Sequence, residues 1–594
     1  MKWVKNLLDK LKGLTKASGR YPLTVVFLLA AAIIAAVAIH AEKDYTKQLM
    51  ACAVGALLSA SLEVAWERFF TKWTTRFILM GFSVTLTLGY YLILLSAPDY
   101  STESSIRTSV ILFALFIAFI WVPVIRSRIS FNESFMTAFK SFFHSLLYSA
   151  VIYGGSSLII VAIDTLIVDV ASKAYAHIAN IVFVLFAPLF FLSLIPVYPG
   201  KQNEEMESNE INEREERINK ATFCPKFLEV LISYIVIPLI SVFTIILLLY
   251  IVKNIRGEFW TNNLLEPMLV SYAVTVILVY ILASRLENKF AVFFRRVFPK
   301  VLVPIVLFQI ASSVLSLGNT GITHNRYFVI IFGVFAAASG IVMSLVPVKK
   351  NGIIAAMVIA FSIVSIIPPV DAFTVSRASQ EKRLKSVLMQ NDMLNNNTIT
   401  PNASISDEDK RKIASSTEYL SRMEYTDSIE WLPKDFVIYE DFYTTFGFNE
   451  YDVPEKTNRY INVYLNTASP IDIAGYDVMT HAYFNSDETT DSKICDIETA
   501  GKHYVLNKVK VKDNYDITLM DDKNQEMIRY PLDEIFSRFA NYTQEKAQIS
   551  NEEATFTTEN EEVKLTLVVQ DANMNVTFNQ TYNYADLYIL VQIK

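Results

Sequence analysis

The stretch from Pro22 to His40 reads PLTVVFLLAAAIIAAVAIH and contains no aspartate, glutamate, lysine or arginine. The hydrocarbon core of a bilayer is about 30 Å thick, so a helix that rises about 1.5 Å per residue needs about 20 mostly apolar residues to cross it. The stretch therefore predicts a membrane-spanning helix. Ten more stretches of similar length and composition follow before residue 370.

The eleven apolar stretches together predict the fold class of the first 370 residues. Their bounds are Pro22–His40, Gln48–Ala65, Phe77–Ser96, Thr108–Ile125, Ala138–Ile163, Ala174–Tyr198, Phe227–Val252, Met268–Leu286, Val301–Gly318, Tyr327–Pro347 and Gly352–Pro368. So many long apolar helices cannot all be buried in one soluble domain. We predict an α-helical polytopic membrane bundle of about 11 spans.

Composition supports this interpretation and divides the chain in two. Hydrophobic residues make up 52% of the 594 residues and charged residues only 19%, whereas soluble domains have about 25% charged residues. Residues 1–370 carry a net charge of +10 and residues 371–594 a net charge of −16. This shift predicts a change of environment near residue 370.

The orientation of the spans follows from the lysines and arginines that flank them. The N-terminal arm and every second connection carry 24 of these residues, and the opposite connections carry 7. Cationic residues accumulate in the cytoplasmic loops of membrane proteins. The N-terminus is therefore expected in the cytoplasm, and an odd number of spans places the C-terminal domain outside.

We predict six segments along the chain. They are an amphipathic cytoplasmic arm (1–20), a first group of six spans (21–198), a charged cytoplasmic loop (199–226), a second group of five spans (227–370), a helical connector (371–430) and an extracytoplasmic β-rich domain (431–594). In the arm, apolar residues from Trp3 to Leu14 recur at helical spacing between lysines, which is typical of a helix lying on an anionic membrane surface. A basic tail that only sets the topology is the alternative.

The C-terminal segment changes to a period of two from about Tyr460. The segments Tyr460–Leu465, Tyr504–Lys512, Val563–Val569 and Leu587–Ile593 are rich in β-branched and aromatic residues, which favours strands. We predict an α+β domain with a mostly antiparallel sheet.

Polar residues inside the spans are the places where a transport site would be found. The best candidate for an intramembrane cavity is His144 with Gly154 and Gly155 on a broken helix, together with Gln309 in a later span. Close helix packing through small residues is the alternative for the glycines. No span carries a charge pair at mid-depth, which disfavours an ion-coupled pump.

Catalytic and cofactor motifs were sought along the whole chain. The sequence contains no G-x-S-x-G, H-E-x-x-H, G-x-G-x-x-G or P-loop motif. The six histidines and three cysteines are scattered, without metal-ligand spacing. We therefore expect no enzymatic activity, no cofactor and no metal.

Several short motifs recur in a known family. In the membrane half they are Arg20-Tyr21-Pro22-Leu23-Thr24, His144–Ser149 with Gly154-Gly155, and Phe191–Pro196; in the tail they include Met393–Asn396, Trp431-Leu432-Pro433, Phe446-Gly447-Phe448 and Asp472–Asp477. With these motifs the chain resembles the bacterial domain-of-unknown-function 4153 family of multi-pass membrane proteins. Asn397 departs from the family, in which a glycine is expected. The resemblance implies a bacterial cytoplasmic-membrane protein with an extracytoplasmic tail, and it implies no activity or site residues.

Two functions follow as hypotheses. The first is a non-enzymatic protein of the bacterial cell envelope, whose bundle anchors an external acidic β-rich module that binds or senses an envelope protein or cell-wall component. The second is a transporter or lipid-handling permease, because eleven spans exceed what anchoring requires. The expected partners are therefore the lipid bilayer and an envelope protein or cell-wall component bound by the C-terminal domain, and we expect no nucleic acid.

Overall fold

The computed structural model describes residues 13–98, 101–201, 208–254, 266–450, 459–466, 468, 470–486, 490–499, 501–511, 514–539, 546–577 and 580–594. Within these residues, eleven helices are long and apolar enough to cross a membrane. The predicted number of spans is therefore confirmed. Residues 13–20 of the arm are helical, whereas most of its predicted amphipathic pattern, from Trp3 to Leu11, lies outside the described residues.

The helices of the membrane half have these bounds: α1 Pro22–Ala41, α2 Thr46–Phe69, α3 Trp73–Leu95, α4 Thr102–Trp121, α5 Phe131–Leu166, α6 Lys173–Leu194, α7 Ser208–Thr222, α8 Lys226–Val230 continued by Leu231–Val236 and Ile237–Asn254, α9 Glu266–Leu282, α10 Lys289–Thr320, α11 His324–Leu345 and α12 Gly352–Ile366. All except α7, a charged helix in the loop between α6 and α8, provide the spans.

Hydrogen bonds join the ends of neighbouring helices alternately on two sides of the bundle. On the first side, Arg20 before α1 donates to the carbonyl of Ile195 after α6, at 2.7 Å. On the second side, Lys47 in α2 donates to the carbonyl of Ala97 after α3, at 2.7 Å. The start of α2 thus lies beside the end of α3, so these two helices run in opposite directions, and the start of α1 lies beside the end of α6.

Helix α10 is longer than the apolar stretch that predicted it. Helix α10 starts at Lys289, twelve residues before the predicted start at Val301, because the side chain of Asn288 accepts from the amide of Ala291 at 3.0 Å and so caps the first turn. Hydropathy marks the part of a helix that lies in hydrocarbon, and polar turns that continue the helix do not contribute to it.

Helix α5 corrects the prediction of a broken helix. It runs without interruption from Phe131 to Leu166, through Gly154 and Gly155. Glycine lowers helix propensity by only about 1 kcal/mol. In a span, where every backbone group must bond within the helix, this cost is too small to break it.

The chain forms two compact units. Unit 1 extends to Thr398 and includes Ser415–Ile438, and unit 2 consists of Ile399–Ala414 and Tyr439–Lys594. After the spans come helices α13 Ala372–Gln390, α14 Asp407–Arg422 and α15 Ile438–Phe446. The residues of the predicted connector, 371–430, therefore contribute to both units.

A short hairpin follows α13 and explains the departure at Asn397. Strands β1 Leu394–Asn395 and β2 Thr398–Ile399 pair with each other. The two residues between them, Asn396 and Asn397, have positive φ values of 48° and 60°. Glycine is favoured in this left-handed region, and asparagine is among the few other residues that adopt it readily.

After α15, the described residues of unit 2 form ten strands and two further short helices. They are β3 Arg459–Leu465, β4 Val478–Asn485, β5 Ser492–Thr499, β6 Lys502–Val511, β7 Asn514–Met520, β8 Glu526–Pro531, α16 Asp533–Phe539, β9 Lys546–Ile549, α17 Asn551–Ala554, β10 Thr555–Glu559, β11 Val563–Thr577 and β12 Gln580–Ile593.

These strands form two sheets that share one apolar core. The six-stranded sheet has the order β4–β12–β11–β3–β9, with β10 also paired to β11, and the four-stranded sheet has the order β5–β6–β7–β8. All pairs are antiparallel except β3 with β9. Alternate residues of both sheets, such as Val463, Leu506 and Leu587, are buried in the core. The predicted mostly antiparallel domain is thus confirmed.

Candidate functional site

On the first side of the bundle, two buried ion pairs hold three helices together. Arg20 donates to both carboxylate oxygens of Glu67 in α2, each at 2.7 Å. Arg76 in α3 lies 2.9 Å from one carboxylate oxygen of Glu63 and 3.1 Å from the other. Bidentate arginine–carboxylate pairs have a fixed geometry, so this cluster sets the positions of α1, α2 and α3.

The same cluster brings together two of the family-like motifs. Arg20, from the motif that enters α1, also donates to the carbonyls of Ile195 and Pro196, the last two residues of the motif Phe191–Pro196. The backbone packs closely here: a Cβ on Gly200 would lie 2.2 Å from the carbonyl oxygen of Glu67. Only glycine fits this position.

The pocket beside these ion pairs is too small for a substrate. It is bordered by Tyr21, Glu63, Trp66 and Arg76, and has a volume of about 10 Å³. This volume is about the minimum that one water molecule requires. The guanidinium of Arg76 lies 5.0 Å from the ring centroid of Trp66. The cluster therefore supports packing rather than binding.

On the second side, a buried aspartate connects α4 to α13. Arg107 donates to Asp371 Oδ1 at 2.7 Å and to Glu103 Oε1 at 2.8 Å. Asp371 also accepts from the amide of Phe373 at 3.0 Å, which caps α13. The Tyr425 hydroxyl donates to Glu103 Oε2 at 2.8 Å. Burial and this carboxylate raise the pKa of Tyr425, so its phenol remains a donor.

A second contact fixes the Ser415–Ile438 segment in the same way. The backbone amide of His324 in α11 donates to the Tyr419 hydroxyl at 3.1 Å, and this hydroxyl donates to Ser376 Oγ in α13 at 2.9 Å. Tyr419 and Tyr425 therefore attach one part of the polar chain after the spans to the ends of α4 and α11, all within unit 1.

The structure places the four predicted cavity residues in different surroundings. His144 is exposed on α5, and its Nδ1 lies 2.8 Å from the carbonyl oxygen of Lys140. Gly154 and Gly155 are also exposed, with no atom within 4 Å of an added Cβ. Gln309 in α10 is buried, and neither polar atom of its amide has a hydrogen-bond partner. The cavity stays a prediction.

A larger opening lies elsewhere, between α4, α11 and α12. We call it the lateral groove. It has a volume of about 460 Å³ and opens to the outside of unit 1. Its lining residues are Ser105, Ile106, Ser109, Val110, Phe113, Phe328, Ile331, Phe332, Phe335, Val358, Phe361, Ser362 and Ser365.

In unit 2, the second candidate site is the face of the six-stranded sheet opposite the core. One row crosses four strands in register: Tyr483 in β4, Asp586 in β12, Asp571 in β11 and Tyr464 in β3. We call it the tyrosine–aspartate row. Tyr483 is 60% exposed, so its ring presents an apolar face and a polar tip at the surface.

The two aspartates of the row face each other across β11 and β12, an arrangement that destabilises a sheet. Amide donors reduce the repulsion: Asn462 donates to Asp571 Oδ2 at 3.2 Å, and Asn573 donates to Asp571 Oδ1 at 2.8 Å. Asp586 Oδ1 is buried and lies 2.5 Å from His481 Nε2, whereas the Asp586 side chain as a whole is 23% exposed. The exposed part of this side chain, rather than Oδ1, is what the row offers to a ligand beside the Tyr483 ring.

Among the described residues, no group of three or more histidine, cysteine, aspartate or glutamate side chains is arranged to hold a metal ion. The lateral groove provides apolar contacts to a ligand. The tyrosine–aspartate row provides aromatic rings and carboxylate oxygens that accept hydrogen bonds.

A sequence model described as "Domain of unknown function (DUF4153)" matches residues 18–400. The chain belongs to this family. The match contains all eleven candidate spans, and therefore also the lateral groove. The sheet, with its tyrosine–aspartate row, lies beyond the part of the chain that matches the DUF4153 family. No curated protein and no solved structure is significantly similar to the chain.

Sequence reasoning missed both sites for identifiable reasons. The predicted strand ended at Val569, because Asp571 and Asn573 interrupt its apolar run. Their neighbours Ala572 and Met574 are buried, so the period-two alternation continues and was the available signal. The lateral groove had no such signal, since its walls come from helices more than two hundred residues apart in the chain.

Proposed function

We propose that the chain is a non-enzymatic protein of the bacterial cytoplasmic membrane, whose β-rich unit lies outside the cytoplasm and binds a neutral polysaccharide of the cell wall. The tyrosine–aspartate row is the observation that carries this proposal. The membrane bundle anchors the module, and no catalytic group is assigned to either unit.

The proposed orientation is supported by the excess of lysine and arginine on the first side of the bundle. The cationic connections of the sequence lie at the helix ends that Arg20 and Arg76 join. Retention of cationic loops in the cytoplasm therefore puts the first side there. The residues after α12 then leave the membrane on the outer surface.

The chemistry of the row favours a sugar chain as the ligand. The exposed ring of Tyr483 offers a flat apolar surface with a negative face, against which the C–H groups of a pyranose ring pack. Asp586 and Asp571 accept hydrogen bonds from sugar hydroxyls, which are donors as well as acceptors. Tyr464 lies at the other end of the row, so the row spans four strands, about 14 Å at the usual spacing between strands.

Charge selects between polymer classes. Residues 371–594 have a net charge of −16, and the row itself contains two carboxylates. An anionic wall polymer or a nucleic acid would be repelled. A neutral glycan avoids this repulsion.

The orientation is tested by cysteine labelling of intact cells. The chain has three native cysteines, which are first replaced by serine: Cys52, Cys224 and Cys495. We expect a membrane-impermeant maleimide to label Asp477→Cys in intact cells, and Glu213→Cys only after permeabilisation. The reverse pattern would overturn the proposal, because unit 2 would then face the cytoplasm.

Binding is tested with the full chain in nanodiscs and purified wall glycan from which anionic polymers have been removed. We expect Tyr483→Ala to weaken binding about tenfold, since truncation of a central aromatic contact costs at least about 1 kcal/mol. Tyr443→Ala is the matched control, because Tyr443 is 59% exposed, against 60% for Tyr483, and lies on α15 of unit 2 rather than in the sheet.

Two results would overturn the glycan assignment. One is equal binding of the glycan by the wild type and by Tyr483→Ala. The other is binding that survives digestion of the glycan but not digestion of wall protein. That result would mean that a polypeptide binds by pairing as an additional strand with the edge strand β4.

The lateral groove favours a second candidate function, a permease for a lipid-like substrate. A fluorescent lipid that moves between leaflets in proteoliposomes, and moves less in a groove-filling Ser109→Phe variant, would support this function. Transport that is absent with wild-type protein would leave the anchored binding module as the function.

A further inference from the structure

We infer that the lateral groove binds one acyl chain of a membrane phospholipid, in the leaflet that borders the second side of the bundle. The inference concerns unit 1 alone and does not depend on the function proposed for unit 2.

The position of the groove fits one leaflet. Its residues begin near the second-side end of each helix: Ser105 lies three residues into α4, Phe328 four residues into α11, and Ser365 one residue before the end of α12. The wall from Ser105 to Phe113 is about 12 Å long at the helical rise per residue. Half of the hydrocarbon core is about 15 Å thick.

The size of the groove fits a single chain. A volume of about 460 Å³ lies within the about 300–1,000 Å³ of sites that enclose drug-sized ligands. Nine of the thirteen lining residues are apolar, and five of these nine are phenylalanines, among them Phe332 and Phe361. Polar solutes gain nothing from such a wall, whereas methylene groups gain dispersion contacts with it.

Three of the four serines that line the groove bond their hydroxyl groups to a carbonyl of their own helix. Ser105 Oγ donates to the carbonyl of Ser101 at 3.1 Å, and Ser109 Oγ donates to the carbonyl of Ser105 at 2.9 Å. Ser365 Oγ donates to the carbonyl of Ser362 at 2.8 Å. Because each of these hydroxyls bonds to its own helix, little of its polarity is available in the groove. The serine side chains are also small, which leaves space for the acyl chain.

The groove is held open by contacts outside it. Arg107, on the same helix as Ser105 and Ser109, hydrogen-bonds to the carbonyl of Ile366 at the end of α12 and to Asp371 beyond it. These bonds fix the second-side ends of α4 and α12 relative to each other. A preformed site loses less entropy on binding, so a chain seated there is retained longer than the lipid that merely surrounds the bundle.

The inference is tested with the full chain in nanodiscs that contain a phospholipid with a photoactivatable diazirine on its acyl chain. Phe113 in the groove and Phe82 on α3 provide a matched comparison, because both are phenylalanines and are 53% and 52% exposed. Peptide mapping after illumination should show about tenfold more label at Phe113 than at Phe82 if the chain is retained.

Filling the groove provides the second measurement. Ser109→Phe should reduce the label on α4, α11 and α12 about tenfold. Thr85→Phe is the control: Thr85 is likewise an exposed hydroxyl that bonds to the carbonyl four residues earlier, at 3.0 Å, but lies on α3 outside the groove. The control should keep the wild-type labelling of the groove helices.

Two outcomes would overturn the inference. Equal labelling of Phe113 and Phe82 in the wild-type protein would mean that lipid contacts the groove only as it contacts any exposed surface. Unchanged labelling in correctly folded Ser109→Phe would place the labelled chain elsewhere. The wild-type comparison remains decisive if the Ser109→Phe variant fails to fold.

Discussion

The two units place the same apolar residue types on opposite surfaces. In unit 1, large apolar side chains such as Leu92 and Leu158 face outward from the spans. Small polar ones such as Ser83 and Ser339 are buried between helices. In unit 2, Leu567 and Leu587 are in the core, and tyrosines and aspartates occupy the outer face of the sheet. The difference teaches that each unit folds against a different solvent: hydrocarbon around unit 1 and water around unit 2.

The two units also differ in how far their ion pairs are buried, and substitution of a buried pair in unit 1 should have the largest effect on the free energy of unfolding. Asp371→Ala leaves Arg107 with Glu103 as its remaining carboxylate partner and removes the cap of α13. Because Asp371 is fully buried, we expect a loss of about 3–5 kcal/mol in the free energy of unfolding. Thermal unfolding in detergent, with a denaturant series, measures it.

The control is an exposed pair in unit 2. Arg529 lies 2.5 Å from Glu526, and both are exposed, so Glu526→Ala should cost at most about 1 kcal/mol. Asp371→Asn separates the two roles of the aspartate, since the amide oxygen still caps the helix. An equally small effect of Asp371→Ala and Glu526→Ala would contradict the role of burial in this argument.

Leucine truncation tests the two solvents most directly. Leu567 is 0% exposed and Leu92 is 64% exposed. Leu567→Ala opens a cavity in the core of unit 2, so we expect it to cost about 2–5 kcal/mol. Leu92→Ala replaces side chain by lipid and should change stability by about 0.5 kcal/mol or less. Hydrogen exchange of β11 and of α3 measures both in the full chain, and similar losses at the two positions would mean that Leu92 is packed rather than lipid-facing.

Glycine substitutions give the smallest effect and sharpen the comparison within unit 1. Gly200→Ala puts a Cβ 2.2 Å from the carbonyl oxygen of Glu67, so the backbone must shift at a cost of about 1–3 kcal/mol. Gly154→Ala meets no atom within 4 Å and should be neutral or slightly stabilising, because alanine favours a helix. Melting temperatures of the two variants check this, and a destabilising Gly154→Ala would point to a partner against α5.

The spans were predictable because each obeys a local rule. A helix in hydrocarbon satisfies its own backbone, so about 20 apolar residues such as Pro22–His40 suffice to identify it. Helix ends were less predictable. The start of α10 at Lys289 is set by Asn288, whose side chain accepts from the amide of Ala291 and caps the first turn, and hydropathy contains no information about such a cap.

The sites were less predictable than the elements that carry them. Glycine and histidine in a span directed attention to Gly154 and His144, both of which are exposed on an unbroken helix. The opening lies instead between Phe113 and Phe361, whose helices are distant in the chain. The sequence pattern of one helix does not predict which other helix packs beside it.

The sequence by itself determined the membrane class of the chain, the number of its spans and the antiparallel character of its tail, because lipid and water each select a repeating pattern along the chain. Only the tertiary structure decided which helices leave a groove between them, and that Tyr483, Asp586, Asp571 and Tyr464 share one row. These depend on contacts between residues far apart in the chain. Packing and strand register set such contacts, and a local pattern does not encode them.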